Sequence, residues 1–293
     1  MDKIVVSCPG SCGELIQGYI DNELKLVSCG IESYSYATIK RETLTNQQAG
    51  DKAKDALNLT EKYLGITEEN QLELDLDIRS NLPVAKGMAS STADIAAAIL
   101  ATSLAYKKPL QFKDIAKICT QIESTDSVMF DSMTLFASKS GDFVEETNWR
   151  PEFYVLVLEP ETLIKTAAFH TQKNDKLFKQ QAKSFSRVHA LYLTAVKEKS
   201  LDKLGEAATK SAILNQVILP KPFFKEVVSI QSNYQSVLGI NVAHSGTVIG
   251  ILLRDLTEKN QIINELEKEK ITAIYNNINV YRSCFEGLKE QKG

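Results

Sequence analysis

Between residues 83 and 94 the chain reads Pro83-Val84-Ala85-Lys86-Gly87-Met88-Ala89-Ser90-Ser91-Thr92-Ala93-Asp94, small residues and hydroxyls placed at the start of an alanine-rich helix. A loop of this kind suits an anion. Gly87, Ala89 and the serines let backbone N–H groups come close to a phosphate, and the helix behind adds its unpaired first-turn amides and the positive end of its dipole. A serine hydroxyl can also reach a Mg²⁺ ion. The plainer alternative is that Ser90 or Ser91 caps the helix, worth about 1 kcal/mol. Lys86 either neutralises phosphate charge or is a surface lysine. Neither the G-x-x-x-x-G-K-[ST] spacing nor a G-x-G-x-x-G fingerprint occurs, so a bound nucleotide would be held in another way.

Three further groups carry chemistry-bearing residues. Glu123-Ser124-Thr125-Asp126-Ser127 closes a predicted helix, with Asp131 a few residues on. Transfer of a phosphoryl group to a hydroxyl needs charge neutralisation along the phosphates and a carboxylate near the acceptor. Acidic residues at a helix C-terminus oppose its dipole, a local conflict of the kind found at functional sites, whereas a solvated helix end is the bland alternative. The segment Cys8-Pro9-Gly10-Ser11-Cys12-Gly13-Glu14-Leu15-Ile16-Gln17-Gly18 contains Glu14, which either grips an ammonium by a charge-assisted bond or faces solvent at a hairpin. Cys8 and Cys12 lack the further ligands that a four-ligand metal set requires. His244-Ser245-Gly246-Thr247 lies between two strand-like runs. His244 is one of three histidines and has no acidic partner nearby in sequence, which favours a structural role over that of a general base.

Taken together, Pro83-x-x-x-Gly87-Met88-Ala89-Ser90-Ser91-Thr92-Ala93 and the Cys8–Gly18 segment resemble the phosphate and substrate loops of the GHMP kinases, the family of galactose, homoserine, mevalonate and phosphomevalonate kinases. The family's usual phosphate loop is Gly-Leu-Gly-Ser-Ser-Ala; Met88, Ala89 and Thr92 are variations, and Ala89 asks the backbone to carry a side chain where glycine is usual. The resemblance implies an α+β fold of two lobes, an N-terminal lobe like ribosomal protein S5 over 1–150 and a ferredoxin-like lobe over 151–293. It implies an ATP-dependent kinase with Pro83, Lys86, Gly87, Met88, Ala89, Ser90, Ser91 and Thr92 at the nucleotide, and Ser91 and Glu123 on Mg²⁺. Asp126 would then orient or deprotonate the acceptor hydroxyl. Ser11, Glu14, Gln17, Ser245, Gly246 and Thr247 would face the substrate. Only Ser124 and Thr125 separate Glu123 from Asp126, fewer residues than in mevalonate-type members. Serine at position 11, where mevalonate kinases carry lysine, leans toward an amino-acid acceptor. The motif pair is most similar to the branch acting on L-threonine, whose product feeds the aminopropanol linker of cobalamin. Homoserine or another small alcohol as acceptor, and a catalytically silent nucleotide or metabolite sensor, are the alternatives.

The elements expected to position these residues begin with strands at 3–8, 14–20, 24–29 and 33–40, split at Pro9-Gly10 and Asp21-Asn22. A helix over 49–65 and a strand over 71–78 precede the loop, and helices over 91–105 and 111–124 follow it. Beyond a strand at 134–138 and a break at Pro151, the pattern predicts a strand at 153–158 and helices over 173–198, 201–217 and 221–232. Two strands within 237–253, a helix over 256–269 and a strand near 271–282 complete it. The 293 residues, 43% of them apolar, can fill a core. Thirty-four basic and 37 acidic residues are interspersed, which disfavours nucleic acid as a partner. No apolar run approaches the roughly 20 residues of a membrane span. The N-terminus has no secretory pattern, so a cytoplasmic protein is expected, and its five cysteines are expected to be reduced. The assembly is left open between monomer and homodimer.

Overall fold

The computed structural model describes residues 3–41, 49–162 and 172–291. Its centre is a pair of long antiparallel strands, β1 (Ile4–Ile20) and β2 (Glu23–Lys40), joined by a tight turn in which Asp21 and Asn22 take φ of 50° and 63°. Asn and Asp tolerate this left-handed geometry, which matches the twist of a two-residue hairpin. The expected four strands are the halves of these two. At Pro9-Gly10, where a break was expected, the pairing shifts register instead, and it shifts again between Ser11 and Glu14 and between Glu14 and Ile16. Bulges of this kind absorb proline and glycine while bending the strand and re-aiming its side chains.

The chain continues through α1 (Asp51–Tyr63), β3 (Asp75–Ser80), α2 (Ser90–Ala105), α3 (Phe112–Ile122), β4 (Thr134–Ala137) and β5 (Phe143–Glu146). After β6 (Tyr154–Glu159) come α4 (Gln172–Gln180), α5 (Ala182–Glu198), α6 (Leu201–Asn215), α7 (Phe224–Ile230), β7 (Val237–Val242), β8 (Ile249–Leu253), α8 (Lys259–Lys268), β9 (Asn277–Arg282) and β10 (Lys289–Glu290). β3 and β9 begin later than expected, β5 was not foreseen, and the helix expected over 173–198 is interrupted at Gln181. The strands form one antiparallel sheet in the order β5-β4-β2-β1-β7-β8-β6-β9, with β3 added to β2 and β10 to β1. The architecture is α+β, as expected. No helix among the described residues is long and apolar enough to cross a membrane.

Two features of this frame reach the loops. α2 is apolar nearly all round and is buried accordingly between β1, β2, α1 and α3, so its N-terminus is fixed by the core. α6 lies so close to β7 that a Cβ on Gly205 would stand 2.1 Å from the Leu238 carbonyl oxygen, and one on Gly239 would stand 2.1 Å from that of Gly205. Glycine at both positions permits the approach. Gly205→Ala must therefore push helix from strand, an overpacking that costs about 1–3 kcal/mol. We expect a lowered midpoint of thermal unfolding, and an unchanged melt would show that helix and strand separate freely.

Candidate active site

The loop before α2 has left-handed residues at alternate positions, Ala85 (φ 60°), Gly87 (φ 81°) and Ala89 (φ 56°). Ala89 is the N-cap of α2 and makes no side-chain cap bond, so neither serine is the cap that the plainer sequence reading proposed. Ser90 and Ser91 instead open the helix, and with Thr92 they line a cleft of 440 Å³. The first-turn amides of α2 have no intrahelical acceptor, and they bring the positive end of the dipole to this wall. Met88 buries its side chain in the core beneath.

The loop is bonded to both other motifs through the backbone. Ser11 N–H donates to Met88 O and Gly13 N–H to Gly87 O, both at 3.1 Å, while Thr247 N–H donates to Lys86 O at 2.9 Å. Gly246 meets Gly87 so closely that a Cβ on it would lie 2.4 Å from the Gly87 Cα. Segments more than 230 residues apart thus form one wall.

Glu123 is the C-cap of α3, in extended conformation with φ −158°. Its carboxylate accepts a hydrogen bond from Lys52 Nζ, and Lys52 Nζ also donates to Ser91 Oγ at 3.1 Å. A cation therefore already bridges the two residues expected on the metal. Two hard oxygen donors beside a phosphate loop suit Mg²⁺, which keeps waters and phosphate oxygens as its other ligands. Among the described residues no group of three or more His, Cys, Asp or Glu side chains is arranged to hold a metal, so the Ser91 and Glu123 pair does not belong to an all-protein cage.

Asp126 is half-buried on the cleft wall, 3.4 Å from Thr92 Oγ1 through Oδ2. Burial first, and then the charges of Glu14 and Glu123, hold its carboxyl well above the ordinary range; it also hydrogen-bonds Glu14. Glu14 is buried, which excludes the solvent-facing hairpin. Its Oε2 accepts the backbone N–H of His244 at 2.8 Å and faces His244 Nδ1 at 3.0 Å. The acidic partner that His244 lacked locally comes from 230 residues away. Gln17 and Ser245 also line the cleft, and the buried Gln17 Oε1 has no partner among the described residues. Ser11 and Thr247 give their amides to the loop, and their hydroxyls are buried without partners among the described residues.

The family description "GHMP kinases N terminal domain" matches residues 51–136. An L-threonine kinase of Citrobacter freundii is 34% identical over 290 residues, 98% of this chain and 99% of that protein. A second L-threonine kinase, from Salmonella typhimurium, is 35% identical over 289 residues, covering 98% and 95%. This chain belongs to the GHMP kinases. Among solved structures, homoserine kinase from Cytophaga hutchinsonii superposes with a TM-score of 0.67 at 15% identity, covering 99% of this chain and 98% of the other, a likeness of fold. As a GHMP kinase the protein uses ATP.

One nucleotide-binding expectation needs correction. The Lys86 side chain is neither on the surface nor at the cleft: it is buried, its ammonium donates to Pro160 O and, at 3.2 Å, to Thr162 O, and it lies 3.7 Å from Glu159. It straps the loop to the end of β6. Among the described residues the lysine that reaches the kinase cleft is Lys52, which in the sequence is one lysine of an ordinary amphipathic helix. Asp94 was also given no role; it lines the cleft and accepts from Ser35 Oγ at 2.5 Å. Lys221, near enough to Glu14 to feel its charge, is pushed down to about 7 by burial. Cys8 and Cys12 pack into separate core clusters and share no site.

The strain and the charge of this kinase site make three variants informative. A Cβ on Gly87 would lie 2.4 Å from the Ala243 Cβ at a φ that side chains resist, so Gly87→Ala should weaken nucleotide binding by about tenfold or more. Ala89→Gly, which relieves a left-handed alanine, should leave stability within about 1 kcal/mol and retain binding. Titration with a fluorescent ATP analogue reads both. Asp126, with its folded pKa raised, contributes stability at low pH that is lost as pH rises through that pKa. At pH 8, Asp126→Asn should therefore unfold at or above the wild-type temperature, with the difference shrinking as pH falls. A variant that melts well below wild type at pH 8 would contradict this.

Proposed function

We propose that this GHMP kinase transfers the γ-phosphoryl group of ATP to the hydroxyl of L-threonine, giving O-phospho-L-threonine in the cytoplasm as a precursor of the aminopropanol linker of cobalamin. The observation that carries this reading is the match to two L-threonine kinases along nearly the whole chain. The arrangement of the cleft supports it. The amides of the loop and of the first turn of α2 receive the phosphates, with Lys52 in reach of them. Ser91 and Glu123 would hold Mg²⁺, which when bound supplies neutralising charge along the phosphates.

In the transfer, the bond from the γ-phosphorus to the bridging oxygen breaks and a bond to the threonine hydroxyl oxygen forms. Asp126 receives the hydroxyl proton or orients the hydroxyl, and ADP leaves. Burial and the neighbouring carboxylates hold the Asp126 carboxyl above its ordinary range. An ammonium group brought in by the amino acid beside Glu14 offsets that negative charge and frees the carboxylate to act.

The test is ADP release from Mg²⁺-ATP with threonine, serine, homoserine and small alcohols without an amino group, together with phosphorus NMR of the product. We expect a threonine-dependent phosphate ester. Turnover confined to another alcohol would discard the acceptor, and nucleotide binding without any turnover would leave a sensor. Ser91→Ala and Glu123→Gln should chiefly raise the KM for Mg²⁺-ATP, and Asp126→Asn should lower kcat by about 100-fold or more with nucleotide binding retained. Equal activity in all three would remove these assignments.

A further inference from the structure

Every polar atom of His244 is engaged, and the residue is 1% exposed. Its Nδ1 faces two acceptors, Glu14 Oε2 at 3.0 Å and Val242 O at 3.2 Å, so that nitrogen carries a proton. Its Nε2 lies 3.2 Å from Ser211 Oγ on α6. Ser211 Oγ also accepts the Gln17 backbone N–H at 3.0 Å, and its hydroxyl proton is free to donate to Nε2. A single imidazole proton, at Nδ1, is enough to complete this chain of bonds. Helix α6 thereby sets the ring, and the ring sets Glu14.

This arrangement fixes the direction of the Glu14 carboxylate. The backbone and imidazole N–H groups both fall on Oε2, an arrangement that uses the lone pairs of a carboxylate oxygen. The other titratable side chain bonded to it at the cleft, Asp126, brings no positive charge. Lys221, the lysine that feels the charge of Glu14, gives its ammonium to Leu219 O at 3.1 Å, and among the described residues no lysine or arginine is ion-paired with Glu14. A carboxylate that is buried, aimed and without a bonded lysine or arginine at the edge of a cleft is a receptor for a cationic group, since a buried charge needs a partner.

Resting on the amino-acid kinase reading above, we propose that His244, braced by Ser211, is the positioning residue that fixes Glu14 as the ammonium subsite of the acceptor pocket. The enzyme therefore selects alcohols that carry a neighbouring ammonium group.

The experiment compares kcat/KM for L-threonine and for 3-hydroxybutyrate, which is threonine without its ammonium, in wild type, Glu14→Gln, His244→Ala, His244→Asn and Ser211→Ala. The KM for ATP and the unfolding midpoint are measured alongside. Wild type should prefer threonine by at least about 100-fold, as expected of a site built around one polar group of its substrate. Glu14→Gln and His244→Ala should each lose tenfold or more of that preference through the KM for threonine, with the KM for ATP unchanged. His244→Asn, whose amide N–H can take the place of Nδ1–H, should recover most of it, and Ser211→Ala should fall between. Should His244→Ala fail to fold, the His244→Asn and Ser211→Ala pair carries the same comparison. A threonine preference that survives His244→Ala, or that His244→Asn does not restore, overturns this inference and leaves the kinase reading standing. Wild-type enzyme that ignores threonine, or prefers the ammonium-free alcohol, overturns both.

Discussion

The structure depends on the seam at Glu14, where β1 meets β7. Glu14 pairs with Val242 across the two strands, and the Asn241 side chain donates to Cys12 O. Gly13, in left-handed conformation, allows the approach; a Cβ there would lie 2.4 Å from the backbone of Val242 and Ala243. This junction joins the two halves of the sheet, and it holds the phosphate loop, because the amides of Ser11 and Gly13 support the carbonyls of Met88 and Gly87. The bulges of β1 around this point bend the strand so that both jobs fall to the same few residues.

Charge gives the cleft its character. Glu14, Asp94, Glu123 and Asp126 all line it, against a helix N-terminus and, among the described residues, a single lysine, Lys52. The carboxylates repel one another, which raises the Asp126 pKa, and the Lys52 bridge to Glu123 offsets part of that repulsion. Reactants that bring phosphates to one end and positive charge to the other suit the two ends of such a cleft. The division of labour is spatial: the amides of α2 and Lys52 attract anions, and the Glu14 corner attracts cations.

Much of this was legible in the sequence because it is written locally. The small residues of 83–94, the alanine-rich run of α2 and the Asp21-Asn22 turn each express a backbone requirement in adjacent residues, and the placement of Ser91, Glu123 and Asp126 came from recognisable motifs. What was missed is long-range. Lys52 is one lysine on an amphipathic helix, and nothing near it in sequence says that it will reach Ser91. The Glu14–His244–Ser211 chain joins three elements that no local pattern connects. Lys86 was misplaced because its position in the loop says where its backbone goes, while its side chain follows the carbonyls at the end of β6. Pro9-Gly10 was read as a break because proline and glycine usually end strands; here a register shift keeps the strand going.

The pairing of β1 also bears on how the protein is made. One edge of β1 is covered by its hairpin partner β2 as soon as residue 40 is available, but the other edge waits for β7 and for β10 at Lys289–Glu290. At about 5–20 residues per second of synthesis, that edge stays open for on the order of tens of seconds. An unpaired strand edge is a template for association with other chains. Pro9, with no N–H to offer, and the successive register shifts beside it interrupt that template in the middle of β1. The irregularities that shape the pocket in the finished enzyme thus also guard the nascent chain.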